Sequence, residues 1–411
     1  MTTLPAPAGP HLLDVSAFWN ATGGVRRVLA TKHHYLQAHG WRHTVMAPGV
    51  RGAGHIDCGG WTLPATGGYR LTLRSGLAAR LIEQAQPDIV EAADPYTLAW
   101  AALRASDRLG IPAVAFCHSD LPMVAARLIG GLDGMGTRRG RFAARRARDY
   151  LVRLYAHFDL VLAPSRSMAE RLVGWGVRQA AVQPLGVDCT VFAPSRGDPA
   201  FRDHLMRRLG LAPATKLLVY SGRFAPEKNL PLLCEAVRLL GPGHALLAVG
   251  AGPQPPQGPG VFVLPPERDS KRLARLVASC DAYVHAGDQE TFGLGVLEAM
   301  ACGTPVVVSS AGGLGELAHE VGITVARRRA HEWADAIGDC LNEAAPPRTQ
   351  RAFAALTRAH EHDWSRVLQQ WLRRYQTLLR AGAPASAHGA HGADIGRVAP
   401  HSLARVLSVP S

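Results

Sequence analysis

Short apolar runs rich in β-branched residues alternate with longer windows of helical spacing from one end of the chain to the other. In the first half, Leu12 to Phe18, His43 to Ala47, Asp88 to Glu91, Pro112 to Cys117, Leu160 to Ala163 and Ala181 to Pro184 have the length and composition of strands. Windows with apolar residues at i, i+3 and i+4 lie between them, near Val25 to Ala38, Leu71 to Ala85 and Tyr96 to Leu109. Strands alternating with helices predict βα units and parallel sheets, whose strands are covered on both faces and read as nearly unbroken apolar text. The stretch Ala193-Pro-Ser-Arg-Gly-Asp-Pro199 is rich in breakers and suits a linker. A second series begins at Lys216 to Tyr220 and continues through Ala245 to Val249, Gly260 to Leu264, Ala282 to His285 and Thr304 to Ser309. The chain therefore reads as α/β, two doubly wound domains in tandem over residues 1–193 and 194–362.

From Asp363 onward, Trp364, Val367, Leu368, Trp371, Leu372, Tyr375 and Leu378 follow i, i+3, i+4, i+7 spacing, which predicts a packing helix over 363–380. Residues 381–411 turn to Ala, Gly, His and Pro without periodicity and read as a disordered tail. No run approaches the ~18 apolar residues of a spanning helix, and no basic stretch precedes Leu12 and Leu13, so no secretory signal is expected. The seven cysteines are widely spaced with no C-x-x-C, as expected of reduced thiols in a cytoplasmic protein.

Composition narrows the class. Of 411 residues 47% are hydrophobic and 19% charged, which excludes wholesale disorder and a coiled coil. The net charge is +13, and lysine occurs only at 32, 216, 228 and 271, so 41 of the 45 basic residues are arginine. This balance favours an anionic partner: nucleotide, phospholipid headgroup or nucleic acid.

The chemistry concentrates in Asp288 to Ser309, where Glu298 is the only charge between Thr291 and Gly315. A carboxylate in such apolar text costs several kcal/mol unless something hydrogen-bonds it. Two vicinal hydroxyls of a ribose would suit its two oxygens; a core arginine is the structural alternative. Glu290 precedes Phe292-Gly293, which opens a helix, so its carboxylate should project at the same sheet edge, where free N–H groups form an anion site. The alternative is a Glu290 that caps the helix. In Leu217 to Leu230 a strand ends at Tyr220, and Arg223 and Lys228 bracket a loop before a helix from about Asn229 to Leu240. A cation in a first helical turn is unfavourable by roughly 0.3 to 1 kcal/mol, and a bound diphosphate would reverse the sign. Otherwise Lys228 would pair with Glu227 or be solvated.

In the first domain the strand at Leu12 runs into Asn20-Ala-Thr-Gly-Gly-Val, where Gly23 and Gly24 let backbone approach a ligand at a helix start. This is not G-x-G-x-x-G, so a nicotinamide cofactor has little support. His118 follows an apolar strand and precedes Ser119-Asp120, again at a carboxyl end, where open α/β sheets bind ligands.

These windows resemble the nucleotide-sugar glycosyltransferases of the GT-B fold known as glycosyl transferases group 1, over nearly the whole chain to about Leu379. The most specific piece is Glu290-x7-Glu298 in its F-G-L-x-x-L-E-A-M-A-x-G-x-P-V-V setting; the G-R-x-x-x-E-K window, the Gly23-Gly24 loop, Pro184-Leu-Gly-Val-Asp188 and Trp364-Ser365 also match. The resemblance implies two Rossmann-like domains, acceptor-side then donor-side, with the 363–380 helix packing back on the first. It implies that Arg223 and Lys228 bind the diphosphate, Gly23 and Gly24 approach it, and Glu298 takes the ribose. Glu290 with the Phe292, Gly293 and Leu294 amides would meet sugar and phosphates, and His118 the transferring sugar. His118-Ser-Asp-Leu-Pro122 is most similar to members that use GDP-mannose or hexosylate lipids. Asn229 and Gly295 depart from the usual pattern and put local helix geometry in question.

No D-x-D and no His/Cys cluster with metal-ligand spacing is present in the sequence, so the leaving diphosphate is expected to be neutralised by Arg223, Lys228 and helix N-termini rather than metal. The implied reaction is transfer of a hexose, mannose favoured over glucose, from a GDP- or UDP-linked donor to a lipid or glycan hydroxyl, with retention. The departing phosphate acts as base, and domain closure excludes water. The donor is a co-substrate, and no cofactor is expected. Arg138, Arg141, Arg145 and Arg148 with Phe142 suggest a basic amphipathic helix for the anionic inner face of the cell membrane, the alternative being a solvated face. Two other functions compete: a nucleotide-sugar epimerase, which would need no acceptor, and a basic nucleic-acid binder. The 6% aromatic content disfavours the latter, and nucleic acid is not an expected partner.

Overall fold

A computed structural model describes residues 9–19, 24–62, 70–131 and 134–382. The expected tail therefore lies, from residue 383, outside the described residues, as does Gly23. The chain divides into two compact units, one formed by residues up to Pro164, Met168–Gln183 and the chain from Leu368, the other by Ser165–Ser167 and Pro184–Val367.

The first unit runs β1 (His11–Val15), α1 (Gly24–Ala38), β2 (Arg42–Ala47), β3 (His55–Asp57), β4 (Trp61–Thr62), β5 (Arg70–Leu71), α2 (Ser75–Ala85), β6 (Ile89–Ala92), α3 (Thr97–Leu109), β7 (Ala113–Phe116), α4 (Leu121–Gly130), α5 (Arg138–Tyr155), β8 (Leu160–Ala163), α6 (Arg166–Gly174) and β9 (Ala180–Val182). Its seven-stranded sheet has the order β3-β2-β1-β6-β7-β8-β9, parallel throughout. The central strands β1, β6 and β7 are buried at every position, as two covered faces require. Local chemistry sets the helix starts: Thr137 accepts the Gly140 N–H at 2.9 Å to open α5, and Asp120 caps α4.

The second unit continues with α7 (Pro199–Arg208), β10 (Lys216–Ser221), α8 (Leu230–Leu240), β11 (His244–Val249), β12 (Val261–Leu264), α9 (Ser270–Ala278), β13 (Ala282–His285), α10 (Leu294–Ala301), β14 (Val306–Ser309), α11 (Gly312–Ala318), β15 (Ile323–Val325), α12 (Ala330–Asn342), α13 (Ala345–Glu361) and the first turn of α14 (Trp364–Ala381). Its six-stranded sheet, β12-β11-β10-β13-β14-β15, is again all parallel. In each sheet the strand order reverses at one place, between β1 and β6 in the first and between β10 and β13 in the second.

The division falls at Gln183, ahead of the breaker-rich stretch. Backbone bonds tie the intervening residues to the end of α13: Val187 N–H donates to the His362 carbonyl at 2.9 Å, and the Trp364 N–H donates back to Val187 at 3.0 Å. From Leu368 onward α14 belongs to the first unit. There Trp371 and Tyr375 are almost fully buried over a cluster of charges. Lys32 Nζ lies 2.8 Å from Asp14 Oδ1 and 2.7 Å from Glu91 Oε1, all three side chains at most 1% exposed. His43 Nε2 is 2.8 Å from Asp14 Oδ2, and the Tyr375 hydroxyl donates to Glu91 Oε2 at 2.5 Å. The ammonium also sits 4.7 Å from the Trp371 ring centre, a cation–π contact. Burial drives the Glu91 carboxyl upward despite Lys32; at Asp14 the charge of Lys32 and the His43 bond overcome burial and hold the carboxyl down.

Candidate active site

The second sheet's strand order reverses between β10 and β13, and open α/β sheets bind ligands outside the carboxyl ends at such a point. Both strands end there in polar text. After β10, the buried Tyr220 hydroxyl donates to the Arg223 carbonyl at 2.9 Å and fixes the turn. Pro226–Lys228 then form one 3-10 turn, and Asn229 takes a left-handed conformation, φ 51°, before α8. This explains why asparagine tolerates a position where glycine is common. Its side chain is also used: Nδ2 donates to the Ala286 carbonyl at 2.8 Å and Oδ1 accepts from Arg328, which also pairs with Asp288 at 3.3 Å. The other departure, Gly295, is steric, because a Cβ there would collide with the Tyr283 hydroxyl.

Lys228 and Glu290, 62 residues apart, form an ion pair, with side chains 13% and 20% exposed. The expected alternatives for Lys228, pairing with Glu227 or full solvation, do not hold. Glu227 is taken by Arg223 at 2.8 Å instead. Nor does Glu290 cap α10, since Gly293 is its N-cap, φ 114°, with no side-chain cap. His285 Nε2 lies 3.3 Å from Glu290 Oε1. Burial opposes ionisation of Glu290, but the charge of Lys228 and the His285 hydrogen bond overcome it and hold the carboxyl well below its usual range. Phe292 is buried, and Leu294 opens α10 with its first N–H groups beside this loop. Glu298 is a buried residue of the same helix, about 6 Å farther along the axis at 1.5 Å per residue. Arg223, Lys228, Glu290, Phe292, Gly293, Leu294 and Glu298 thus all lie on the β10 and β13 connections or in α10.

In the first unit, Gly24 is the first residue of α1, which follows β1 at that sheet's reversal point. His118 follows β7, half-buried with its ring stacked on Phe116 at 4.0 Å. Burial foremost, with the charge of Lys32, pushes its pKa down to about 3, so the ring is neutral near pH 7. Arg138, Arg141, Arg145 and Arg148 are exposed on α5. Arg148 pairs with Asp149 at 3.1 Å, and Arg141 donates to the Met135 and Gly136 carbonyls at 3.1 and 2.7 Å.

Three features escaped the sequence reading. His285 carries the same signal as His118, a histidine ending an apolar strand. Arg328 lies in an arginine run whose pairing no spacing reveals. Asp94, after β6, accepts the Ala17 N–H at 2.6 Å, and its other oxygen has no partner among the described residues. Burial pushes its carboxyl up to about 7.

Comparison with known proteins agrees with this layout. Residues 22–191 match Glycosyltransferase Family 4, and residues 215–343 match Glycosyl transferases group 1. A GDP-mannose-dependent alpha-mannosyltransferase of Mycobacterium tuberculosis is 30% identical over 73% of this chain and 75% of the relative. The chain belongs to the group 1 glycosyltransferases. A second relative of this glycosyltransferase, the GDP-mannose-dependent alpha-(1-6)-phosphatidylinositol dimannoside mannosyltransferase of M. tuberculosis, is 29% identical over 88% of this chain and 95% of that one. Among solved structures, sucrose-phosphate synthase from Thermosynechococcus elongatus superposes with TM-score 0.71 at 19% identity, over 91% of this chain and 100% of that one. Anabaena HepE in complex with UDP and glucose gives 0.67 at 20% identity, over 89% and 99%. The fold is GT-B.

Proposed function

We propose that this glycosyltransferase moves mannose from GDP-mannose to a hydroxyl of a lipid or glycan, with retention at the anomeric carbon and without a metal ion. One observation carries the reading: Arg223 and Lys228 converge with Glu290 and the start of α10 at the carboxyl ends of β10 and β13. Two cations and helix N–H groups suit a leaving diphosphate. The names of the two mycobacterial relatives favour mannose and GDP.

In the reaction the acceptor oxygen bonds to the anomeric carbon as the bond to the β-phosphate oxygen breaks, and that phosphate takes the hydroxyl proton. Arg223 and Lys228 hold the charge that develops on the diphosphate, Glu298 takes the ribose hydroxyls, and Glu290 with the Phe292 to Leu294 N–H groups orients the sugar and phosphates. Neutral His118 hydrogen-bonds the transferring sugar without adding charge.

The acceptor's setting is read from α4 and α5. Arg138, Arg141, Arg145 and Arg148 are exposed on α5, which also exposes Phe142 at 61%, and α4 exposes Leu128 at 64%, a combination suited to an anionic bilayer surface. Among the described residues no helix is long and apolar enough to cross a membrane. Mass spectrometry of products from a panel of GDP- and UDP-sugars with membrane extract, in excess EDTA, tests the function. Mannosylated lipid from GDP-mannose is the expected result. Donor conversion without any acceptor would instead indicate an epimerase, and turnover only with added Mg or Mn would contradict the metal-free reading.

A further inference from the structure

The residue behind Glu290 is His285, the last of β13, 5% exposed, with its ring centre 5.2 Å from that of Tyr220. Its Nδ1 accepts the Gly287 N–H at 3.1 Å. A nitrogen that accepts carries no proton, so the ring is neutral and its one N–H is on Nε2, the atom 3.3 Å from Glu290 Oε1. The slot is built for this ring: a Cβ on Gly287 would come within 2.6 Å of the imidazole Cε1. The neighbouring strand-end carbonyl, that of Ala286, is held by Asn229, so the segment carrying the imidazole is tied on both sides.

Lys228 and His285 share one carboxylate oxygen, and only one of them has other work. An ammonium that turns to a diphosphate leaves Glu290 with the imidazole N–H. We propose that His285 is a positioning residue for Glu290, keeping its carboxylate aimed and charged when Lys228 engages the donor. This rests on the reading of Lys228 and Glu290 as donor-site residues. The device uses a neutral donor, so it orders the carboxylate without competing with the phosphates for a cation's place. Lys228 and His285 act on Glu290 directly; Tyr220 on β10 feels Glu290 together with Tyr283, Arg223 and Glu227, and Asp288, two residues before Glu290, pairs with Arg328. Lys228 and His285 both bond the carboxylate.

His285→Met and His285→Gln test this, because the two side chains have similar length and volume and differ in the N–H donor. A hydrogen bond to a carboxylate is worth about one to two pKa units, so the acid limb of kcat, which reports the donor-bound enzyme, should rise by about that much in His285→Met. kcat should fall about tenfold or more while donor KM changes less than about threefold, as expected of an interaction used after binding. His285→Gln should recover most of kcat and return the acid limb toward wild type. A wild-type acid limb and kcat in His285→Met, or a Gln variant no better than Met, would overturn the proposal. Glu290→Gln separates the two readings. If it keeps full turnover, the donor-site reading fails and the proposal with it; if it is inactive while His285→Met behaves as wild type, the proposal alone fails.

Discussion

Lys32→Met should loosen the packing of the C-terminal helix within the first unit. The ammonium bridges Asp14 and Glu91, which are 0% and 1% exposed, and lies under Trp371. Methionine fills similar volume but leaves two carboxyls buried without their cation, and breaking one side of a buried ion pair costs about 3–5 kcal/mol. For a unit of roughly 200 residues at ~2.1 cal/mol/K per residue, the unfolding entropy is ~0.4 kcal/mol/K, so that loss lowers Tm by ~7–12 °C. The pH dependence identifies the cause. In wild type Lys32 works against the burial of both acids, and without it burial raises both carboxyls above their unfolded values. An acid with raised folded pKa contributes stability below its unfolded pKa and loses it as pH rises. The deficit should therefore be small near pH 4 and largest near pH 8. Calorimetric melting of both proteins at pH 4.5, 6 and 8 reads this directly. A Tm loss under ~2 °C, or one equal at all three pH values, would refute the reasoning.

Asp94→Asn should keep the bond to the Ala17 N–H and remove a carboxyl whose pKa burial has raised to about 7. The wild-type penalty grows as pH climbs from about 4 to 7, so the variant should gain about 2–4 kcal/mol at pH 8 in urea titrations and almost nothing at pH 4. Asn229→Gly keeps the left-handed turn and loses the bonds to Ala286 and Arg328, costing about 1–2 kcal/mol, whereas Asn229→Ala adds ~1 kcal/mol of backbone strain. Equal melting of the two variants would contradict this. Wild type should co-sediment with anionic vesicles at low salt and be released by high salt, and changing Arg138, Arg141, Arg145 and Arg148 to Gln should abolish binding. Equal binding by both proteins, or by neither, would make α5 a solvated face.

Much of the fold is legible because parallel strands covered on both faces announce themselves as apolar runs: Leu160–Ala163 and Ala282–His285 are strands with the bounds the sequence predicts. What escaped lacks that signature. His55–Asp57 pairs at the sheet edge with polar residues at two of three positions, and Ile323–Val325 is too short to stand out. Leu71, read as helical, belongs to a two-residue strand, and the helix waits until Ser75. At the candidate site the individual residues Lys228, Glu290 and Glu298 are legible from their polar chemistry in apolar surroundings. Their pairing is not: Lys228 passes over its neighbour Glu227 for a carboxylate 62 residues away, because the ends of β10 and β13 meet only in the folded sheet. The same distance hides Asn229 bonding to Ala286.

The central claim is that the β10 and β13 edge with α10 holds the nucleotide-sugar. Calorimetric titration of GDP and GDP-mannose into wild type, Lys228→Ala and Glu298→Gln, with the melting temperature of each, tests it most directly. The expected result is saturable wild-type binding, weakened about tenfold or more in each variant, since a charge-assisted bond is worth about 1.5–3 kcal/mol, with Tm within a few degrees of wild type. Unchanged affinity in both variants, or a severe Tm loss in Glu298→Gln with affinity intact, would contradict it.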